Sequence, residues 1–159
     1  MQAGTDKQRC IFCEAANSRD DEINLVVYRG AVCFVMLNRY PYTSGHLMIA
    51  PNEHVSRLTA TAESTTEEMM RLARHAEQIL EAVYHPDGLN LGMNLGEAAG
   101  AGIEQHIHLH VLPRWKGDAN FMSTVGNTRI IPETLEDTYV KLKSKFASTN
   151  SPEAPSSHV

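Results

Sequence analysis

The sequence predicts an α+β fold: an antiparallel sheet of about five strands with one long and one short helix. Three observations carry that reading. Apolar runs of strand length fall before and after a single long stretch with helical spacing, so the order is strands, helix, strands, helix. The chain has 159 residues, 42% hydrophobic and 21% charged, which suits one globular domain with a real core. One run, Gln105 to Leu112, alternates histidine with aliphatic residues in the strand period of two.

The elements follow in order. Leu25 to Arg29 and Ala31 to Leu37 are β-rich and meet at Gly30, which reads as a hairpin. Asn38 to Gly45 is a loop punctuated by Pro41 and Gly45, and His46 to Ala50 is a strand stopped by Pro51. Ser64-Thr65-Thr66-Glu67 fits a capping box that opens a helix. Met69, Leu72, Ala73, Ala76, Ile79, Leu80 and Val83 continue it at helical spacing to about His85, before Pro86. Gly88 to Leu95 and His106 to Leu112 are two further strands, and Glu133 to Phe146 is a second, short helix. Residues 1–147 are expected to form a single domain, and the Ser/Pro-rich stretch 148–159 a disordered tail.

Composition narrows the function. The 14 Lys and Arg against 19 Asp and Glu give a net charge of −5, which disfavours nucleic acid or an anionic membrane as the main partner. No apolar run reaches the roughly 20 residues of a membrane span, and Met1 to Lys7 lack a signal-peptide core, so a cytoplasmic protein is expected. Three cysteines in that setting do not suggest disulfides. Cys33, inside an apolar run, reads as core. Cys10-Ile11-Phe12-Cys13 is a C-x-x-C pair, either half a zinc site or a redox pair. With no strand pattern before it, the zinc reading is preferred, and it needs two further ligands from elsewhere.

The chemistry concentrates at His106, His108 and His110. On a strand they share one face at spacings of about 6.5–7 Å, opposite Ile107, Leu109 and Val111. Three aligned imidazoles suit either catalysis or a metal cluster. The preceding loop, Asn94 to Gly102, holds Gly96, Gly100 and Gly102, and its backbone amides can cradle phosphate. Together they outline a phosphate held against an imidazole, whose nitrogen can attack phosphorus. The remaining candidates read as ordinary residues. Met69 and Met70 belong to core or dimer packing, and His75 and His85 to the helix surface. Arg114 fits a phosphate contact or an ion pair, and Trp115 and Phe121 a base pocket or subunit contact.

His106-Ile107-His108-Leu109-His110-Val111-Leu112 resembles the histidine triad (HIT) motif. The resemblance covers about residues 10 to 147, including Cys10 to Cys13, Asn38-Arg39-Tyr40-Pro41 with Gly45-His46, His54-Val55 and Leu112-Pro113-Arg114. The Asn-Arg-x-Pro and Val-Leu-Pro-Arg segments are closer to the fragile histidine triad branch than to the Hint branch. Trp115 to Met122 and Thr128-Arg129 resemble bacterial diadenosine tetraphosphate phosphorylases.

The resemblance implies a HIT-like fold and a role for each matching position. His108 is the nucleophile that carries the nucleotidyl group, His110 contacts the scissile phosphate region, and His106 orders the triad. Asn38 contacts ribose, His46 lies by the phosphate end, and Asn94, Gly100 and Gly102 belong to the phosphate loop. Cys10, Cys13, His54 and His106 form a structural zinc set, and no organic cofactor is implied. One departure stands out: Gly100-Ala101-Gly102-Ile103-Glu104-Gln105 has one residue more than the family's Gly-Gln-Ser/Thr and no hydroxyl. The expected protein is a homodimeric enzyme that cleaves a dinucleoside polyphosphate through nucleotidyl-His108, with water or inorganic phosphate as acceptor. A Hint-like nucleoside phosphoramidase and a non-catalytic nucleotide or zinc binder are the alternatives.

Overall fold

The computed structural model describes residues 10–119 and 132–149. A short helix α1 (Ile11–Asn17) leads into β1 (Val26–Arg29), β2 (Cys33–Leu37) and β3 (Leu47–Pro51). The long helix α2 (Glu63–Tyr84) follows, then β4 (Gly88–Gly92), β5 (Leu109–Arg114) and α3 (Leu135–Ser148). The strands make one five-stranded antiparallel sheet in the order β1-β2-β3-β5-β4. The α+β architecture with about five strands is therefore present.

Period-two alternation divides the sheet into two apolar faces. Cys33, Val35, Leu37, Leu47, Ile49, Leu109 and Val111 point to α2 and α3 and build the larger core. Val26, Phe34, Met36, Met48 and Ala50 point the other way, onto Cys10, Phe12 and Ala15 of the α1 segment. β2 and β3 are buried at every position because both faces are covered, which is why their sequences are continuous apolar runs. A bulge between Val26 and Tyr28 interrupts the alternation in β1: Val26 opposes Met36, whereas Arg29 opposes Phe34. The extra residue turns Arg29 towards α1, where its Nη2 donates to the carbonyls of Ala15 (2.8 Å) and Ser18 (3.0 Å).

Several expectations need correction. α1 was not anticipated, because seven residues are too few to display a helical period. The capping box does not form. Ala62 is the N-cap of α2, and Ser64 lies inside the helix, whose first amides reach the Ala62 carbonyl. Pro51 ends β3 from within rather than stopping it, and β4 leaves the ladder at Gly92 instead of Leu95. The second helix starts two residues later than expected, with the Thr134 side chain accepting from the Asp137 amide, and runs through Ser148. His75 is not on the helix surface; it is 1% exposed, in the larger core. Residues 150–159, which hold most of the expected tail, and Phe121, Thr128 and Arg129 lie outside the described residues.

A charged residue also shapes the frame. Glu68 of α2 is buried, and its carboxylate accepts the backbone amides of Ala31, Val32 and Cys33 at 2.6–3.0 Å. It joins the first hairpin to α2. Burial and the Glu68 charge push the Cys33 thiol up to about 12, which fits an inert core residue.

Candidate active site

β5 and the segment before it bring the expected residues to the α1 face of the sheet. His110 stands in the ladder opposite Met48 and Gly92. His106 and His108 precede the ladder; there the Ile107 amide donates to the Val55 carbonyl at 2.8 Å. That bond brings His54 and His106 to the first turn of α1. Cys10 is the N-cap of α1 and Cys13 lies three residues on, so their thiols share one side of the turn.

Cys10, Cys13, His54 and His106 place one ligand atom each within 4.8 Å of one another. Cys13 Sγ lies 3.1 Å from His54 Nδ1 and 3.6 Å from His106 Nδ1, and Cys10 Sγ lies 3.5 Å from His106 Nδ1. His106 Nε2 donates to the Pro51 carbonyl at 2.9 Å, which leaves the Nδ1 lone pair facing the thiols. Two thiols and two imidazoles, one of them oriented by a backbone carbonyl, fit a closed tetrahedral zinc site. The two ligands that C-x-x-C lacked are thus adjacent to it in space.

The other imidazoles form a directed chain. Burial, then the charges of His110 and His108, pushes His46 down to about 3. Burial, then His108, pushes His110 down to about 4. Burial lowers His108, and its bond to the His106 carbonyl opposes the shift. These rings are neutral near pH 7, so each has one N–H and one lone pair, assigned here from the partners. The Tyr42 amide donates to His46 Nδ1 at 3.2 Å, so the His46 proton is on Nε2. That proton is donated to His110 Nδ1 at 2.8 Å, which places the His110 proton on Nε2. His108 Nδ1 donates to the His106 carbonyl at 3.0 Å and leaves Nε2 with a lone pair. The His108 and His110 rings are 4.8 Å apart and nearly perpendicular. The site therefore presents a bare imidazole nitrogen beside an imidazole N–H donor.

The loop ahead of this chain is held by its own geometry. Asn38 donates its amide to the His46 carbonyl, and its side chain lies 3.4 Å from His46 Nδ1. Gly45 has φ +76°, and a Cβ there would come within 2.8 Å of the Tyr84 ring, so glycine is required on two counts. Asn38, His46, His108 and His110 are thus one cluster.

The glycine loop is arranged differently. Asn94 donates to the Gly100 carbonyl at 3.3 Å, within the loop, and the amides of Ala99, Gly100 and Ala101 are bonded to carbonyls of Gly96 and Glu97. Gly102 is exposed, and the loop reaches the α1 face through Ile103. Arg114 forms an ion pair with Asp118 and bonds Asn90, so the ion-pair reading applies. Trp115 meets the edge of Tyr84 at 6.5 Å. Sequence reasoning missed Phe12, Tyr42 and the Pro51 carbonyl. Phe12, between the two cysteines, and Tyr42, in the loop before His46, were open to notice as aromatics flanking site residues.

The HIT domain family matches residues 21–117. A Mycobacterium tuberculosis protein named AP-4-A phosphorylase is 42% identical over 127 residues, which is 80% of this chain and 65% of that protein. The chain thus spans 65% of the length of that curated relative. The asymmetrical bis(5'-nucleosyl)-tetraphosphatase of Schizosaccharomyces pombe is 30% identical over 93 residues, 58% of this chain and 50% of that protein. Among solved structures, a Zn-bound histidine triad family protein from Mycobacterium smegmatis superposes with a TM-score of 0.69 at 27% identity. It covers 89% of this chain and 95% of that one.

Proposed function

The chain belongs to the histidine triad (HIT) family, and on that premise we propose that it is an enzyme cleaving a dinucleoside polyphosphate of the diadenosine tetraphosphate type. The observation that carries this reading is the orientation of His108: Nδ1 is fixed to the His106 carbonyl, which leaves Nε2 as a free nucleophile. His108 Nε2 attacks the α-phosphorus, an N–P bond forms, and the bridging P–O bond to the departing nucleotide breaks. His110 Nε2–H, set by the bond from His46, stands as the donor for the departing oxygen. Water or inorganic phosphate then attacks the phosphorus, the N–P bond breaks, His108 leaves as the neutral imidazole, and the acceptor's proton passes to solvent while His110 Nε2–H stays hydrogen-bonded to the phosphoryl oxygens. Asn38 and His46 line the nucleotide side, and Asn94, Gly100 and Gly102 shape the phosphate loop. The relatives' names, a phosphorylase and a tetraphosphatase, support this class of reaction.

Cys10, Cys13, His54 and His106 hold a structural zinc ion in this reading. When bound, the ion ties α1 to the strand that carries the triad and takes no part in the chemical step. The donor set and the Zn-bound relative support it. A homodimer is proposed on the unpaired edge of β4, where Leu91 is 44% exposed. No described helix is long and apolar enough to cross a membrane. A cytoplasmic site of action is proposed from the reduced thiols that the zinc set requires.

Turnover of diadenosine tetraphosphate with and without inorganic phosphate, with products separated by chromatography, tests the activity. ADP plus ATP that depend on phosphate are expected for phosphorolysis, and AMP plus ATP for hydrolysis. Absence of both product pairs, with nucleotide still bound, overturns the enzyme in favour of a binder.

A further inference from the structure

Phe12 lies between the cysteine–histidine cluster and the His108 ring. It is fully buried, and its ring is 5.1 Å from the His106 ring and 4.6 Å from the His108 ring. The outer torsion of an imidazole is broad, so a single hydrogen bond at Nδ1 leaves the plane of the His108 ring free to rock. Phe12 packs on that ring at an interplanar tilt of 31°, and the His110 ring meets it at 75°.

Phe12 is itself anchored from two directions. The first turn of α1 meets His54 and His106 through Cys13 and Cys10, and the end of the helix is held by Arg29 on the carbonyls of Ala15 and Ser18. A helix of seven residues has little stability of its own, so these two anchors, together with the packing of Phe12 among Phe34, Met36 and Met48, set where its ring stands.

We propose that Phe12 is a positioning residue for His108, carrying the clamp of the Cys10, Cys13, His54 and His106 cluster to the imidazole plane so that Nε2 stays aimed at the phosphorus. This rests on the reading of His108 as the nucleophile. A bound ligand set and a reactive nitrogen are thereby one mechanical unit, joined by an apolar ring and by the His106 backbone. An ångström of misplacement at a reacting atom costs about 10²-fold in rate, so loss of the flat ring appears in kcat and not in substrate affinity.

The test uses the metal-loaded protein and two variants that keep apolar volume without an aromatic face, Phe12→Leu and Phe12→Met. The measurements are kcat and KM for diadenosine tetraphosphate, metal per chain, melting temperature, and ¹³C relaxation of the His108 ring. The expected result is a kcat lower by about 10- to 100-fold with KM within about twofold, unchanged metal content, and a more mobile His108 ring. Chelation of the wild type is expected to loosen the same ring, and to add less in the Phe12 variants, where one of the two routes from the cluster to His108 is already lost. A wild-type kcat and ring relaxation in either folded variant overturns the inference, as does a fall in kcat that metal loss or melting accounts for. If His108→Ala keeps wild-type turnover, the underlying reading fails instead, so the two failures are distinguishable.

Discussion

Histidines are buried on both faces of the sheet, on opposite terms. On the α1 face, His46, His106 and His108 are at most 6% exposed, and each has at least one ring nitrogen tied to a backbone group or a neighbouring imidazole. On the α2 face, His75 is 1% exposed beside the Tyr28 and Phe146 rings, and neither of its nitrogens has a hydrogen-bond partner among the described residues. Desolvating an unbonded polar group costs about 1–3 kcal/mol. The first set offsets that cost through hydrogen bonds that also fix each tautomer, which is what leaves the lone pair of His108 on Nε2. His75 offers only its ring to packing. Burial by itself therefore does not mark a functional histidine; the direction of its partners does.

The sharpest way to break this comparison is to substitute both kinds. His108→Ala is expected to lower kcat by at least about 10³-fold, as loss of a covalent nucleophile does, while His75→Phe stays within about twofold of wild type. Steady-state kinetics on diadenosine tetraphosphate check it, and equal losses at the two positions would remove the distinction.

Next in size is the metal. The double variant Cys10→Ser, Cys13→Ser is expected to lose its bound metal and several kcal/mol of stability, or roughly 10 °C or more in melting temperature. Metal analysis and a thermal melt read both, and full metal content would refute the ligand set.

The smallest effect belongs to His75. Burial lowers its pKa from the ordinary 6.5, so below that value the unfolded chain takes up a proton that the folded chain resists. Its contribution is therefore intact above the unfolded pKa and declines as pH falls through it towards the lower folded value. His75→Phe keeps both edge contacts and removes the orphaned nitrogens. It is expected to be about 1 kcal/mol more stable than wild type near pH 5.5, with the gap narrowing by about pH 8, measured by denaturant unfolding.

This asymmetry also shows what was legible in the sequence. The sheet, the long helix and the triad strand were readable because their periods are carried by many residues, as in the Met69 to Val83 stripe. The cysteine pair pointed to a ligand set because C-x-x-C needs partners. The burial of His75 was not legible, since a helical stripe that already held Leu72, Ala76 and Ile79 gave no reason to widen the apolar face by one histidine. The start of α2 differs because Ser64 and Glu67 satisfy the capping pattern from two residues inside a helix whose cap, Ala62, has no side-chain signal. Glu68 and the Pro51 carbonyl escaped for another reason: each belongs to a bond between a side chain and a backbone group of a distant segment, and backbone groups leave no mark in residue types.

The bulge in β1 carries a further consequence. Because one extra residue decides which way Arg29 points, the docking of α1 depends on a count and not only on the identity of any side chain. Inserting one residue between Tyr28 and Arg29 would move Arg29 one place along the ladder and swing the guanidinium to the opposite face, so a single added codon would unfasten α1 with every residue of the reactive centre still in place. A family alignment scored by residue type alone would pass such a chain as intact. The length of this strand is thus a constraint on the site that stands beside the histidines themselves.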